Sequence, residues 1–546
     1  MLSGAIRARL ADDDALGAGT FFAAVRDVRP GTEQVLWTDG DFPAPDGERD
    51  TVLTLDRLAE LVETYAGFYH ARGVRPRDPV AVCTGSALGY VLNFLALSTL
   101  GAVPALVNAD LPAAVARNYA QRIGAVGVFA DPAHLAALRG EDSAEPVFFA
   151  TASDVRPEDR GRLPSGYPYR HHGNDPVLIT HSSGTTGVPK AVTASHRSFF
   201  AATRYRLSLP LPQGFERVLS ALPGSHNSAI TVVMQSLLSG LPVRILSDRG
   251  GDAVLAAVAE FRPTMVAAFA GTHAELASRD LGRADLSTVT LWYNSGDAAH
   301  RAHIRALTAH GRHTEVSSEG RATVPGSYFH DGLGSSEMGH SLFYNIHKPG
   351  AEKPLRCIGK PYGFVEAAVL SDEGEPLPAG RIGRLGVKSP SITPGYWNDS
   401  LTTHRSWLGG YWLTGDLVYR DETGVFYHVD RVTDTVLTRQ GRLYSVWAEE
   451  LLLDACPELE DCTVFGMENS DGSADAWLLL KVRPGAGAGV DWESRVNALL
   501  AAQDMPPVAR VLTQGTQRIP LGPTGKVKKR QLRALYQDLS RRGEVA

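Results

Sequence analysis

THSSGTTGVPK, residues 180–190, is the stretch from which the rest of the chain is read. The apolar run Pro176-Val-Leu-Ile179 before it reads as a buried strand, and Ala191-Val-Thr193 after it can resume extended structure. A strand that leads into glycines and hydroxyls and ends on a lysine makes a phosphate cradle. Glycine lets backbone N–H groups approach an anion, hydroxyls donate further bonds, and Lys190 adds positive charge. It is not a Walker loop, which needs four residues between its first glycine and a GK[ST] end. Here Gly184, Gly187 and Lys190 are each separated by two residues, and Ala191 follows the lysine. By composition alone, such a loop is as often an ordinary surface turn.

A chain of 546 residues is too long for one core and implies two or more domains. Apolar content of 43% with 21% charged residues is that of a soluble globular protein. A net charge of -6 gives no basic surface that would call for nucleic acid. Cys83, Cys357, Cys456 and Cys462 imply neither a disulfide framework nor metal-ligand spacing, which fits a reducing cytoplasm. The opening MLSGAIRARLADDDALG has no apolar core and does not read as a secretory signal. The apolar region from Val91 to Val107 is interrupted by Asn93, Ser98, Thr99 and Pro104, so it reads as a buried helix and strand rather than a membrane span.

Helical spacing from Leu55 to Arg72 is followed by short apolar strands at Pro79–Cys83, Val103–Val107 and Val126–Ala130, with helices between them. The same alternation resumes after the loop, with helices at Ser198–Leu207, Ile230–Ser239 and Ala253–Phe261 and strands between. This predicts an α/β fold with parallel-rich sheets covered by helices. Residues 141–175, rich in proline, glycine and charge, read as one long connection. From Cys357 the pattern changes to short strands and turns, a small β-rich subdomain, and beyond Arg431 to a compact α+β pattern. The expected domains are therefore 1–431 and a small mobile C-terminal domain, 432–546.

Three further motifs follow the loop in order. Asp331-Gly-Leu-Gly-Ser-Ser-Glu337 places a carboxylate after a glycine turn; taken alone it is a helix cap, but a carboxylate there can also hold a hard divalent cation. Trp412-Leu-Thr-Gly-Asp416 and Asp430-Arg431 come next, then Ile519-Pro-Leu-Gly-Pro-Thr-Gly-Lys526, a constrained turn presenting a lysine. Together these resemble the adenylate-forming superfamily of acyl-CoA synthetases, adenylation domains and luciferases: TSGTTGxPKGV, YGxTE, YxTGD and PxTxxGK in the family's order, over nearly the whole chain.

The resemblance implies ATP and Mg2+. Ser182, Ser183, Gly184, Thr185, Thr186, Gly187 and Lys190 then surround the phosphates, and Glu337 is the metal carboxylate. Ser336 meets the α-phosphate, and Leu333 stands where an aromatic usually stacks on adenine. Asp416 accepts from the ribose hydroxyls, Arg431 contacts the nucleotide, and Thr433 replaces a charged hinge residue. Lys526, Glu337 and Thr185 are the implied catalytic residues. The activity so implied is attack of a carboxylate on the α-phosphate, release of pyrophosphate, and transfer of the acyl group to coenzyme A or a carrier pantetheine.

Two regions depart from that pattern. The acyl pocket, placed at His226, Asn294, Gly296, Asp297 and Gly334, is polar at His226, Asn294 and Asp297, where an alkyl chain would need an apolar tunnel; a small, aromatic or polar acid fits better. Around Gly441 in the thiol channel, Gln440 and Trp447 are bulky, which leaves the acceptor open to an amine or a carrier protein. The alternatives are a non-thiol acceptor, including nitrite activation for diazotisation of an aryl amine, and a nucleotide-binding relative without catalysis. A luciferase-like oxygenase would also need oxygen uptake.

Overall fold

The computed structural model describes residues 1–139, 148–182, 189–211, 214–296, 298–318, 320–352, 354–483, 485–486, 489–513, 527 and 529–541. The chain divides into two compact units. One comprises 1–352, 361–365 and 389–405; the other comprises 353–360, 366–388 and 406–546.

The first unit is built on two large sheets. Strand Pro79–Cys83, buried at every position, lies between Val103–Leu106 and Gly127–Ala130 and is parallel to both. The sheet extends through Pro176–His181 and Ala191–Ser195 to Gly395–Tyr396 at one edge. Helix Ala87–Leu100 covers it with all its residues buried, so it carries no amphipathic stripe. Ser86 caps its start, accepting from Gly89 N, and Gly101 ends it in the left-handed region at φ 85°. The second sheet has eight strands; Val218–Ala221, Met265–Phe269, Leu291–Ser295 and Tyr328–Asp331 run parallel in its interior. The α/β class and the helix–strand alternation read from the sequence are thus present.

Two expectations change. Residues 141–175 are not one unstructured connection: Phe148–Ala150 adds a parallel strand beside Gly127–Ala130, and 3-10 turns occupy Ala152–Asp154 and Pro157–Arg162. The missing side chain of Gly127 makes room for the Phe148 ring, which a Cβ there would meet at 2.1 Å. The helix expected from Ile230 begins at Asn227, because His226 supplies its cap.

In the second unit, strands Cys357–Pro361, Phe426–Arg431, Tyr411–Arg420, Gly383–Lys388 and Glu366–Leu370 pair antiparallel in that order. A three-stranded sheet, Leu459–Glu468, Ala474–Val482 and Arg510–Thr513, follows. Its alternation divides two cores. Val464, Leu478 and Leu480 pack with Leu452 and Val496 of helices Ser445–Ala455 and Trp492–Ala501, while Phe465, Leu479 and Leu512 pack with Leu532 and Tyr536 of helix Lys529–Arg541. Among the described residues no helix is long and apolar enough to cross a membrane.

Candidate active site

Four parallel strands of the second sheet end side by side, the edge at which open α/β sheets bind ligands. Val218–Ala221 runs on to His226, Met265–Phe269 ends at its phenylalanine, Leu291–Ser295 delivers Asn294 and Gly296, and Tyr328–Asp331 opens into the Gly332–Glu337 loop. His226 Nδ1 accepts from Ser228 N at 3.2 Å and lies 2.7 Å from Ser228 Oγ, with the ring edge-on to Phe269 at 5.0 Å. Burial, reinforced by neighbouring His181, pushes the His226 pKa down to about 4. A neutral ring whose Nδ1 is an acceptor carries its proton on Nε2, so His226 offers a donor.

Asn294 Nδ2 donates to Asp331 Oδ1 at 2.7 Å across the strand pair. Gly296 has φ 86°, and a Cβ there would meet the Phe269 ring at 2.9 Å; no larger residue fits. A Cβ on Gly334 would stand 2.7 Å from the His340 carbonyl oxygen, in a turn closed by the Gly334–Ser341 bridge. Of the residues expected from the sequence to line one pocket, His226, Gly296 and Gly334 follow neighbouring strand ends and Asn294 lies within one, next to its last residue. Asp297 lies outside the described residues.

Glu337 Oε1 accepts from Tyr396 Oη at 3.0 Å, and Glu337 O accepts from Thr393 N at 2.8 Å. Tyr396 pairs with Val192 at the sheet edge, and Lys190 Nζ stands 5.0 Å from the centre of its ring. The tyrosine therefore joins the lysine end of the 180–190 stretch to the carboxylate, a link absent from the sequence reading. Ser182 N donates to Lys190 O at 3.1 Å and closes the mouth of the loop. Ser183, Gly184, Thr185, Thr186 and Gly187 lie outside the described residues, as does Lys526. Residues 331–337 form a turn rather than a helix start: Leu333 O accepts from Leu342 N and Ser336 O from Gly339 N. Mg2+ that keeps waters and substrate oxygens needs one or two carboxylates. Glu337 presents one, bonded to a neutral hydroxyl, and no group of three or more metal-binding side chains exists among the described residues. The residues present fit such an ion.

In the second unit Asp416 is buried and accepts from Arg431 Nη1 at 3.0 Å and His428 Nε2 at 3.1 Å. Burial alone would raise its pKa, but the Arg431 charge and the His428 bond together hold it well below the usual carboxylate range. His428 was not found in the sequence because strand alternation puts 428 and 431 on opposite faces; a register shift between Leu417 and Val418 brings both to Asp416. Asp430 accepts from Ser445 N at 2.7 Å and caps helix Ser445–Ala455, and burial pushes its pKa up to about 6. Lys529 pairs with half-buried Glu449 at 2.8 Å. Gly441 begins a hairpin strand at φ 131°, and the Trp447 ring stacks on Tyr444 at 6.3 Å.

The first unit thus holds parallel strand ends bearing polar groups and a carboxylate joined through Tyr396 to Lys190, and the second an aspartate held by an arginine and a histidine. The chain belongs to the AMP-binding enzyme family, whose model matches residues 32–397. It is 50% identical over 545 residues to a 3-aminoavenalumate diazotase of a Streptomyces species, covering 96% of this chain and 97% of the relative. A 3-amino-2-hydroxy-4-methoxybenzoate diazotase of Streptomyces cremeus is 28% identical, covering 90% of each chain. A feruloyl-CoA synthase of an Amycolatopsis species is 27% identical over 89% of this chain and 94% of its own. Among solved structures, the anthranilate CoA ligase AuaEII with anthranoyl-AMP superposes with a TM-score of 0.79 at 19% identity, covering 96% of this chain and 98% of that one; at that identity it speaks for the fold.

Proposed function

We propose that this enzyme uses ATP to activate nitrite and transfers the nitroso group to the amine of an aminoaryl carboxylic acid, yielding a diazonium product. The observation that carries this reading is the 50% identity, along 96% of the chain, to a 3-aminoavenalumate diazotase. The polar strand ends support it: His226 and the Asn294–Asp331 pair suit an oxyanion and an amine better than an alkyl chain.

In this chemistry a nitrite oxygen attacks the α-phosphorus of ATP, the bond to the bridging oxygen breaks, and pyrophosphate leaves. The amine lone pair then attacks the nitroso nitrogen. The N–O bond to AMP breaks, AMP departs with that electron pair, and the amine loses a proton. The resulting nitrosamine tautomerises, and protonation of its oxygen lets water leave. No oxidant is required, because the two nitrite oxygens end in AMP and in water.

Gly184, Thr185, Thr186, Gly187 and Lys190 are assigned to the β- and γ-phosphates, Ser336 to the α-phosphate, Leu333 to the adenine face, and Asp416 with Arg431 to the ribose side. Glu337 would hold Mg2+, which supplies charge neutralisation on the phosphates. The Nε2–H of His226 would donate to a nitrite or nitroso oxygen. Lys526, on a domain proposed to begin at Val432, would stabilise charge on the transferred group, where an interaction made mainly in the transition state raises rate rather than affinity.

A second reading keeps an aromatic carboxylate as the acid and coenzyme A as the acceptor, favoured by the 27% identity to feruloyl-CoA synthase; Gln440 and Trp447 near Gly441 count against a thiol channel. Coupling assays separate the two. Incubation with ATP, Mg2+, nitrite and an aminoaryl acid, followed by an electron-rich arene, should give an azo dye only when both ATP and nitrite are present. A coenzyme A thioester formed without nitrite, and no dye, would replace the first reading by the second.

A further inference from the structure

Helix Ser198–Ser208 carries Tyr205 and Arg206 near its end. Arg206 Nη1 bonds to His340 Nε2, and Nη2 lies 3.2 Å from His340 Nδ1. The guanidinium also stands over the Tyr362 ring, 5.9 Å from its centre. Tyr362 Oη meets His330 Nε2 at 3.0 Å, and His330 stacks on Tyr293 at 5.1 Å with planes 13° apart. Phe364 lies 4.8 Å from Tyr205 and nearly parallel to Tyr362. These rings form one linked aromatic cluster, with the Arg206 guanidinium against Tyr362 and His340.

No carboxylate among the described residues pairs with Arg206. Burial, and then the Arg206 charge itself, push the His340 pKa well below its ordinary value, so the histidine is a neutral partner. Among the described residues the cluster's positive charge has no carboxylate to balance it. A half-buried guanidinium has five N–H donors in a planar fork, and leaving such a charge without a counter-ion is costly. The cluster adjoins the site already described: Gly334 packs on the His340 backbone, and Gly339 O accepts from Asn227 Nδ2, next to His226, at 3.3 Å.

We propose that Arg206, steadied by His340, binds the carboxylate of the aminoaryl acid, so that the acid anchors the substrate and the amine is the end offered to activated nitrite. This rests on the proposed nitrite chemistry. It reverses the orientation an acid-activating ligase requires, in which the carboxylate itself meets the α-phosphate. The substrate class is a planar aromatic with an anionic group remote from its amine; the fork suits a carboxylate, and the rings suit the aryl plane.

The test compares an aminoaryl acid with its primary amide and methyl ester, in the presence of nitrite and ATP. For the wild-type enzyme, kcat/KM should fall roughly 10–100-fold from acid to amide, mostly through KM, the size expected for losing a charge-assisted hydrogen bond. In Arg206→Met the acid-to-amide ratio should collapse toward one, and Arg206→Lys should keep part of it. Equal handling of acid and amide by the wild type overturns the assignment without needing any variant. A ratio that persists in folded Arg206→Met, checked by its melting curve, overturns it as well. Nitrite-dependent exchange of pyrophosphate into ATP by the wild type, without amine, isolates the underlying reading. If that exchange is absent, the nitrite chemistry itself fails; if it is present while acid and amide react alike, only the Arg206 assignment falls.

Discussion

Asp416 is buried between Arg431 and His428, whereas Arg206 is half-buried beside a neutral histidine and a tyrosine ring. On the proposed nucleotide side an anion already has the Arg431 charge and a His428 bond within the chain, and its pKa is held low. On the proposed aryl side a cation beside a histidine of depressed pKa has no carboxylate partner among the described residues. A matched charge is a fixed tool for a ligand that does not change between relatives. An unmatched one is a selector, because its counter-ion must come with the substrate.

The largest expected effect concerns the nucleotide side. Lys526→Ala should lower the rate of adenylate formation by roughly 100-fold or more while leaving the KM for ATP nearly unchanged, the signature of a contact made in the transition state. Steady-state pyrophosphate release measures both, and a change confined to KM would remove Lys526 from the chemistry. Glu337→Ala should weaken the affinity for Mg2+, so that the concentration giving half-maximal rate rises about tenfold or more, as a Mg2+ titration would read. An unchanged titration would mean that Glu337 serves the Tyr396 hydrogen bond and the fold alone.

A smaller effect separates the two sides by pH. Asp416 has a depressed pKa, so its stabilisation is complete above the unfolded value near 4 and is lost only as pH falls through the folded value below that. Fully buried His273, packed against Trp292 and Phe329, has its pKa pushed down to about 4 by burial. The sign is the same and the window higher: the unfolded chain takes up the proton first, so stability is complete above about pH 6.5 and falls toward pH 4. The group should cost about 2 kcal/mol between pH 7 and pH 5. His273→Gln should flatten that part of the urea-denaturation profile and leave the region below pH 4 unchanged. An unaltered slope between pH 7 and pH 5 would show that His273 does not set it.

The same contrast governs what could be read from the sequence. The segments proposed for the nucleotide, such as Thr180–Lys190 and Asp331–Glu337, stand out in the sequence because they are short and spacing alone constrains their chemistry. The parallel sheets were legible because strands such as Pro79–Cys83 are continuously apolar. Tyr396 was missed because it reaches Glu337 from an edge strand 59 residues further on. Arg206 and His340 were missed for the same reason, being 134 residues apart and meeting only through packing. His226 was read as a pocket residue, but its capping role depends on the local backbone that the fold imposes.

The most direct measurement is exchange of labelled pyrophosphate into ATP with the purified enzyme and Mg2+, with nitrite alone, an aminoaryl acid alone, or neither. The nitrite reading expects exchange with nitrite alone and only background with the acid alone. Exchange driven by the acid and indifferent to nitrite would contradict it and return the enzyme to carboxylate activation.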